Sequence, residues 1–76
     1  MLRKLKMDAI DKLKQIMRKA DHNTVVLVGG RIGYELNGKM QEDTSVIWYD
    51  YFDAILSNKE FVTDSENMHL YIRFAK

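Results

Sequence analysis

Residues 42–58 read EDTSVIWYDYFDAILSN, and the fold turns on whether they form strands or a helix. Val, Ile, Trp, Tyr and Phe are strand formers, so propensity alone favours a strand. The period argues otherwise. On a helical wheel Ile47, Trp48, Tyr51, Phe52, Ile55 and Leu56 gather on one half, and Val46, Asp50, Asp53 and Ser57 on the other. A strand would set Asp50 on the same face as Val46 and Trp48. Glu42, Asp43, Thr44 and Ser45 suit a helix start by capping and by charge at the positive end of the dipole. Asn58 suits its end. The reading is a helix, with two strands as the alternative.

Working towards the N-terminus, Lys39 to Glu42 reads as a brief strand. Asn37-Gly38 before it is the strongest short hairpin signal. Arg31 to Leu36 alternates, with Ile32, Tyr34 and Leu36 on one face, and is a strand. Gly29-Gly30 is a turn. Asn23 to Val28, NTVVLV, is continuously apolar, as expected of a strand that is central or covered on both faces. Residues 1–20, MLRKLKMDAIDKLKQIMRKA, form an amphipathic helix. Leu2, Leu5, Ala9, Ile10, Leu13, Ile16, Met17 and Ala20 fill an arc of roughly 140°, a width suited to lying on a sheet. The helix should end near Asp21-His22-Asn23, where Asn accepts the left-handed conformation.

Towards the C-terminus, Lys59 to Asp64 is a short strand and Ser65-Glu66-Asn67 a turn. Met68 to Lys76 is the last strand, with Met68, Leu70, Ile72 and Phe74 alternating with His69, Tyr71, Arg73 and Ala75. The expected class is therefore α+β. A single domain over residues 1–76 carries both helices on one face of a mainly antiparallel sheet, in the order α-β-β-(β)-α-β-β.

Composition narrows function. Hydrophobic residues make up 46% of the chain and eight residues are aromatic, which argues against a disordered chain. The absence of Cys excludes disulfides, thiolate zinc sites and thiol chemistry, and fits a cytoplasmic location. No apolar run approaches the roughly 18 residues of a membrane span, so no membrane partner is expected. The net charge of +1 conceals an asymmetry. Residues 1–20 hold seven basic and two acidic residues, and residues 21–76 hold five basic and nine acidic ones. The helix is thus either held internally against an acidic remainder, or the molecule offers two oppositely charged faces.

Motifs carry little chemistry. Gly33 to Met40 nearly matches the phosphate loop G-x-x-x-x-G-K-[ST], but Met40 stands where the Mg²⁺-binding hydroxyl is needed and Asn37-Gly38 predicts a hairpin. Gly30-Arg31-Ile32-Gly33 has Gly-x-x-Gly spacing, yet it lies between strands rather than the helices of a nucleic-acid clamp. Leu70 to Phe74 has the rhythm of a base-stacking strand, which any half-buried strand shares. His69 with Asp64 and Glu66 could ligate a metal only as a poor set, so no metal or cofactor is assigned. No Ser or Thr is set with a His and an orienting acid, and catalysis is not expected.

The expected function is a small interaction protein that binds, and blocks, a protein partner. Phage and mobile-element proteins that inhibit host defence, anti-CRISPR inhibitors among them, have this general size, an analogy of size alone. Glu42, Asp43, Tyr49, Asp50 and Asp53 would form an acidic-aromatic contact face. The alternative is nucleic-acid binding through Arg3, Lys14 and Arg18 on the basic helix. A third reading is a homodimer or larger homo-oligomer built through exposed strand edges.

Overall fold

The structure, a computed structural model, describes residues 8–76. Leu2, Leu5 and Arg3 of the expected first helix lie outside the described residues. Helix α1 spans Ala9–Lys19 and a single 3₁₀ turn follows at Asp21–Asn23. Strands β1 (Thr24–Val28), β2 (Arg31–Leu36) and β3 (Lys39–Asp43) come next. A 3₁₀ turn at Trp48–Tyr51 runs into helix α2, Phe52–Ser57, and strands β4 (Phe61–Glu66) and β5 (His69–Phe74) close the described chain. The sheet is antiparallel throughout, in the order β3-β2-β1-β5-β4. The α+β class and the order of elements match the sequence reading, and the brief third strand is present.

The continuous apolar run of β1 is explained by its central place in the sheet. Its burial is nonetheless one-sided: Val25 and Leu27 are buried against the helices, while Thr24, Val26 and Val28 are half-exposed on the open face. Cover on both faces was therefore not needed to account for the run. Position in the middle of the hydrogen-bonded ladder was enough.

The stripe of α1 packs as its spacing requires. Ala9, Leu13, Ile16, Met17 and Ala20 are buried, meeting Val25, Leu27, Ile32, Leu70 and Ile72 from the sheet and Trp48 and Ile55 from the second helical segment. Each fully buried Leu, Ile or Met side chain contributes about 1.5–3 kcal/mol relative to exposure. The helix stops at Lys19, just before the expected Asp21-His22-Asn23, which forms the 3₁₀ turn. Asn23 takes φ 53° and its side-chain Nδ2 donates to the carbonyls of Met17 at 2.9 Å and Arg18 at 3.3 Å, satisfying the last turn.

Three two-residue turns join the hairpins. Gly29-Gly30, Asn37-Gly38 and Asn67-Met68 all have both φ values positive, the geometry that matches the right-handed twist of the strands. The third corrects the expected last strand. Glu66 pairs with His69, so β4 runs on to Glu66, and Met68 is a turn residue rather than part of the inward-facing set.

The second helical segment is also shorter than expected. It is helical and ends at Ser57, with Asn58 following, but it begins at Trp48 rather than Glu42. Glu42 and Asp43 are committed to the sheet by pairing with Gly33 and Ile32. Asp43 does not cap a helix. Its carboxylate accepts from the Ser45 N–H at 2.8 Å and hydroxyl at 2.6 Å, making a tight local turn. Trp48, Tyr51 and Ile55 face the core, while Ile47, Phe52 and Leu56, expected on the same apolar half, are exposed.

Candidate contact surface

The 3₁₀ turn is seated on the first hairpin. The Trp48 N–H donates to the Gly30 carbonyl at 3.3 Å, and the Trp48 indole N–H donates to the Asp43 carbonyl at 3.2 Å. With Trp48 fully buried, Tyr49 and Asp50 are directed outward. The Tyr49 ring lies 3.4 Å from where a Cβ on Gly30 would sit. Gly30 is therefore favoured for its φ of +80°, and a Cβ there would only touch the Tyr49 ring at ordinary contact distance.

Tyr49 is 58% exposed and Met68 is 93% exposed. Together with Phe52 they rim a cleft of about 240 Å³ whose wall includes Leu27 and Leu70. Leu56 follows Phe52 by one helical turn and is also exposed. Asp50 and Asp53 are exposed on the same helical segment. The expected acidic-aromatic group is thus brought together in part: Tyr49, Asp50 and Asp53 share one short helical segment. Phe52 and Met68 join them, residues that the sequence reading assigned to the core. Asn67-Met68 as a two-residue hairpin turn was the signal that would have placed Met68 outside.

Glu42 and Asp43 are adjacent in β3 and so point to opposite faces of the sheet. Glu42 lies on the open face, 3.8 Å from Arg31. Asp43 faces the helices, 3.6 Å from the Lys12 ammonium. Burial pushes the Asp43 carboxyl up, but the Ser45 hydroxyl and N–H and the Lys12 charge outweigh it, and the net shift is downward.

Among the described residues, the basic side chains of α1 are turned largely to internal contacts. Lys12 reaches Asp43 and Ser45, and Lys14 pairs with Glu60. The Arg18 guanidinium sits 5.8 Å over the Phe74 ring and the Lys19 ammonium 5.7 Å over that of Tyr34. Arg3 lies outside the described residues. Of the described basic candidates, Lys14 is ion-paired and Arg18 is stacked yet exposed.

The sheet face away from the helices has no cover among the described residues. Register places Arg31 and Arg73 there with Glu35, Glu42, Asp64 and Glu66, an acidic balance. A shallow cleft of about 350 Å³ crosses it, bordered by Val26, Gly33, Met40 and Tyr71. His69 Nδ1 is 3.4 Å from the Tyr71 hydroxyl. No group of three metal-ligating side chains forms among the described residues.

The near-match to a phosphate loop is a hairpin, and its amides are occupied. The N–H groups of Asn37 and Gly38 each donate to the Asp21 carboxylate at 3.0 Å, which holds that carboxyl below its ordinary value. No described helix is long and apolar enough to cross a membrane. No protein-family model, curated protein or solved structure matches this chain.

Proposed function

We propose that the protein is a small non-catalytic interaction protein that binds and blocks a protein partner through the surface formed by Tyr49, Phe52 and Met68. The single observation that carries this reading is the exposed apolar cleft they border, with Asp50 and Asp53 on the same helical segment. Exposed aromatic and Met side chains around a pocket, with charge kept at the margin, are the composition of a protein-binding centre. The complementary partner presents an apolar side chain for the cleft and Lys or Arg beside it. The acidic open face and the internal use of Lys12, Lys14 and Lys19 lend the nucleic-acid alternative no particular support.

Affinity capture from a host lysate, with and without nuclease, tests the reading when wild type is compared with Phe52→Asp and Tyr49→Ala. The expected result is a nuclease-resistant protein partner whose recovery falls at least about tenfold with either variant, a loss typical of a central anchor. Identical captures from wild type and both folded variants would sink the proposal, as would capture that nuclease abolishes.

A further inference from the structure

The sheet has two outer strands, β3 and β4, each with one unpaired edge. Such an edge offers N–H and C=O groups to another chain unless charge or cover prevents it. The two edges differ in what they would meet in a second copy. An antiparallel copy of β4 centred on Thr63 sets Val62 against Asp64 and Glu60 against Glu66. Centred on Asp64, it sets two carboxylates face to face. β4 therefore repels itself.

β3 reads Lys39-Met40-Gln41-Glu42-Asp43 and is self-complementary. Turned antiparallel about Gln41, Lys39 faces Asp43 of the copy and Met40 faces Glu42, and two-fold symmetry repeats both pairs. Asp43 can take this second cation: Oδ1 is held by Ser45, but Oδ2 has only Lys12 at 3.6 Å. The backbone agrees. The hairpin closes on the pair Leu36 and Lys39, so Lys39, Gln41 and Asp43 direct their N–H and C=O groups towards β2. Met40 and Glu42 direct theirs outward, and these are the residues the copy sets opposite one another. Met40 is 70% exposed, and no described segment pairs with this edge.

We propose that β3 pairs antiparallel with β3 of a second copy of this chain, about a two-fold axis through Gln41, joining two five-stranded sheets into one. The contact uses none of Tyr49, Phe52 and Met68, so it stands apart from the proposed partner surface. A single strand pair buries less than the roughly 1,200 Å² of a standard interface, and the expected dissociation constant is weaker than about 1 μM.

The chain has no cysteine, so Gln41→Cys introduces a lone thiol at the axis. Directly opposed residues of a non-bonded antiparallel pair have Cα atoms about 4.5 Å apart, within the roughly 4.4–6.8 Å span of a disulfide. Mild oxidation is expected to convert Gln41→Cys into a covalent dimer under conditions that leave Val62→Cys, on β4, mostly as thiol. In sedimentation equilibrium the wild type is expected to dimerise with concentration. Gln41→Glu, which sets two carboxylates at the axis, should raise the dissociation constant about tenfold or more. Asp64→Lys should leave it unchanged. A wild type that stays monomeric at every concentration, equal cross-linking of the two Cys variants, or a dimer moved by Asp64→Lys and not by Gln41→Glu overturns the proposal. If Gln41→Glu unfolds, the cross-linking comparison decides alone.

Discussion

If the proposed contact surface is used, Met68 sets folding against binding in one residue. It occupies the second central position of a turn with φ 66°, where glycine is the favoured residue, and it is 93% exposed. A left-handed conformation costs an L-residue about 1–2 kcal/mol, and Met68 recovers none of it by burial. Such strain outside the core points to a surface role. Met68→Gly is therefore expected to stabilise the fold by about 1 kcal/mol, raising the melting temperature by about 4–8 °C. The same substitution should weaken partner capture. Thermal melting and capture, run on one preparation, read both effects. A variant that binds as wild type does would remove Met68 from the contact surface. From the sequence, period-two alternation drew Met68 into the last strand. Alternation cannot tell a strand's first residue from the turn before it when the turn lacks glycine.

At the scale of elements, the second helical segment is organised by Trp48 rather than by its N-terminal acids. The indole is wholly buried, its N–H is satisfied by the Asp43 carbonyl, and its own backbone N–H ties the segment to Gly30. Trp48→Ala should cost about 3–5 kcal/mol, a large part of the stability of so small a domain. Trp48→Phe keeps most of the volume and loses the indole hydrogen bond, so it should cost distinctly less. Urea titration followed by circular dichroism orders the two. Comparable losses would mean that the hydrogen bond, and not the filled volume, holds the segment in place. The helical period of residues 47–56 was legible because Trp48, Tyr51 and Ile55 must reach one core. The start was not legible, since Glu42 and Asp43 serve a helix N-terminus and an edge strand equally well. Sheet pairing with β2 settled the matter.

For the whole molecule, two carboxylates join parts far apart in sequence. Asp21 holds the β2–β3 turn through the amides of Asn37 and Gly38, and Asp43 joins the end of β3 to α1 through Lys12. Both carboxyls are held below the ordinary aspartate value of 3.8. For Asp21 the two backbone hydrogen bonds are the main cause. For Asp43, burial acts upward and the Ser45 and Lys12 contacts prevail. A folded-state value below the unfolded one means that these contacts stabilise the protein fully above the unfolded value. That stability is lost as pH falls through the lowered folded-state values. Acid titration of wild type should thus show stability falling below about pH 3.8, and the double variant Asp21→Asn, Asp43→Asn should fall less steeply there. Identical acid limbs would show that neither carboxylate carries the pH dependence. The same long-range pairing takes up part of the charge asymmetry among the described residues, since Lys12 and Lys14 of α1 meet Asp43 and Glu60.

The amino-acid sequence by itself determined the local choices: the apolar stripe of α1, its end close to Asp21-His22-Asn23, the Gly29-Gly30 and Asn37-Gly38 turns, and the strand and helix order. Each is decided within a few residues by period, φ preference or capping, so no distant partner is needed to read it. Only the tertiary structure decided that β1, read as central or doubly covered, is central with one face open. The same holds for the opposite facing of Glu42 and Asp43, and for the exposure of Phe52 and Met68 beside Tyr49. Those outcomes depend on which strand pairs with which and on where α1 lies. They are set by contacts between residues far apart in the chain, such as Leu27 with Leu70 and Trp48 with Gly30, which no local pattern encodes.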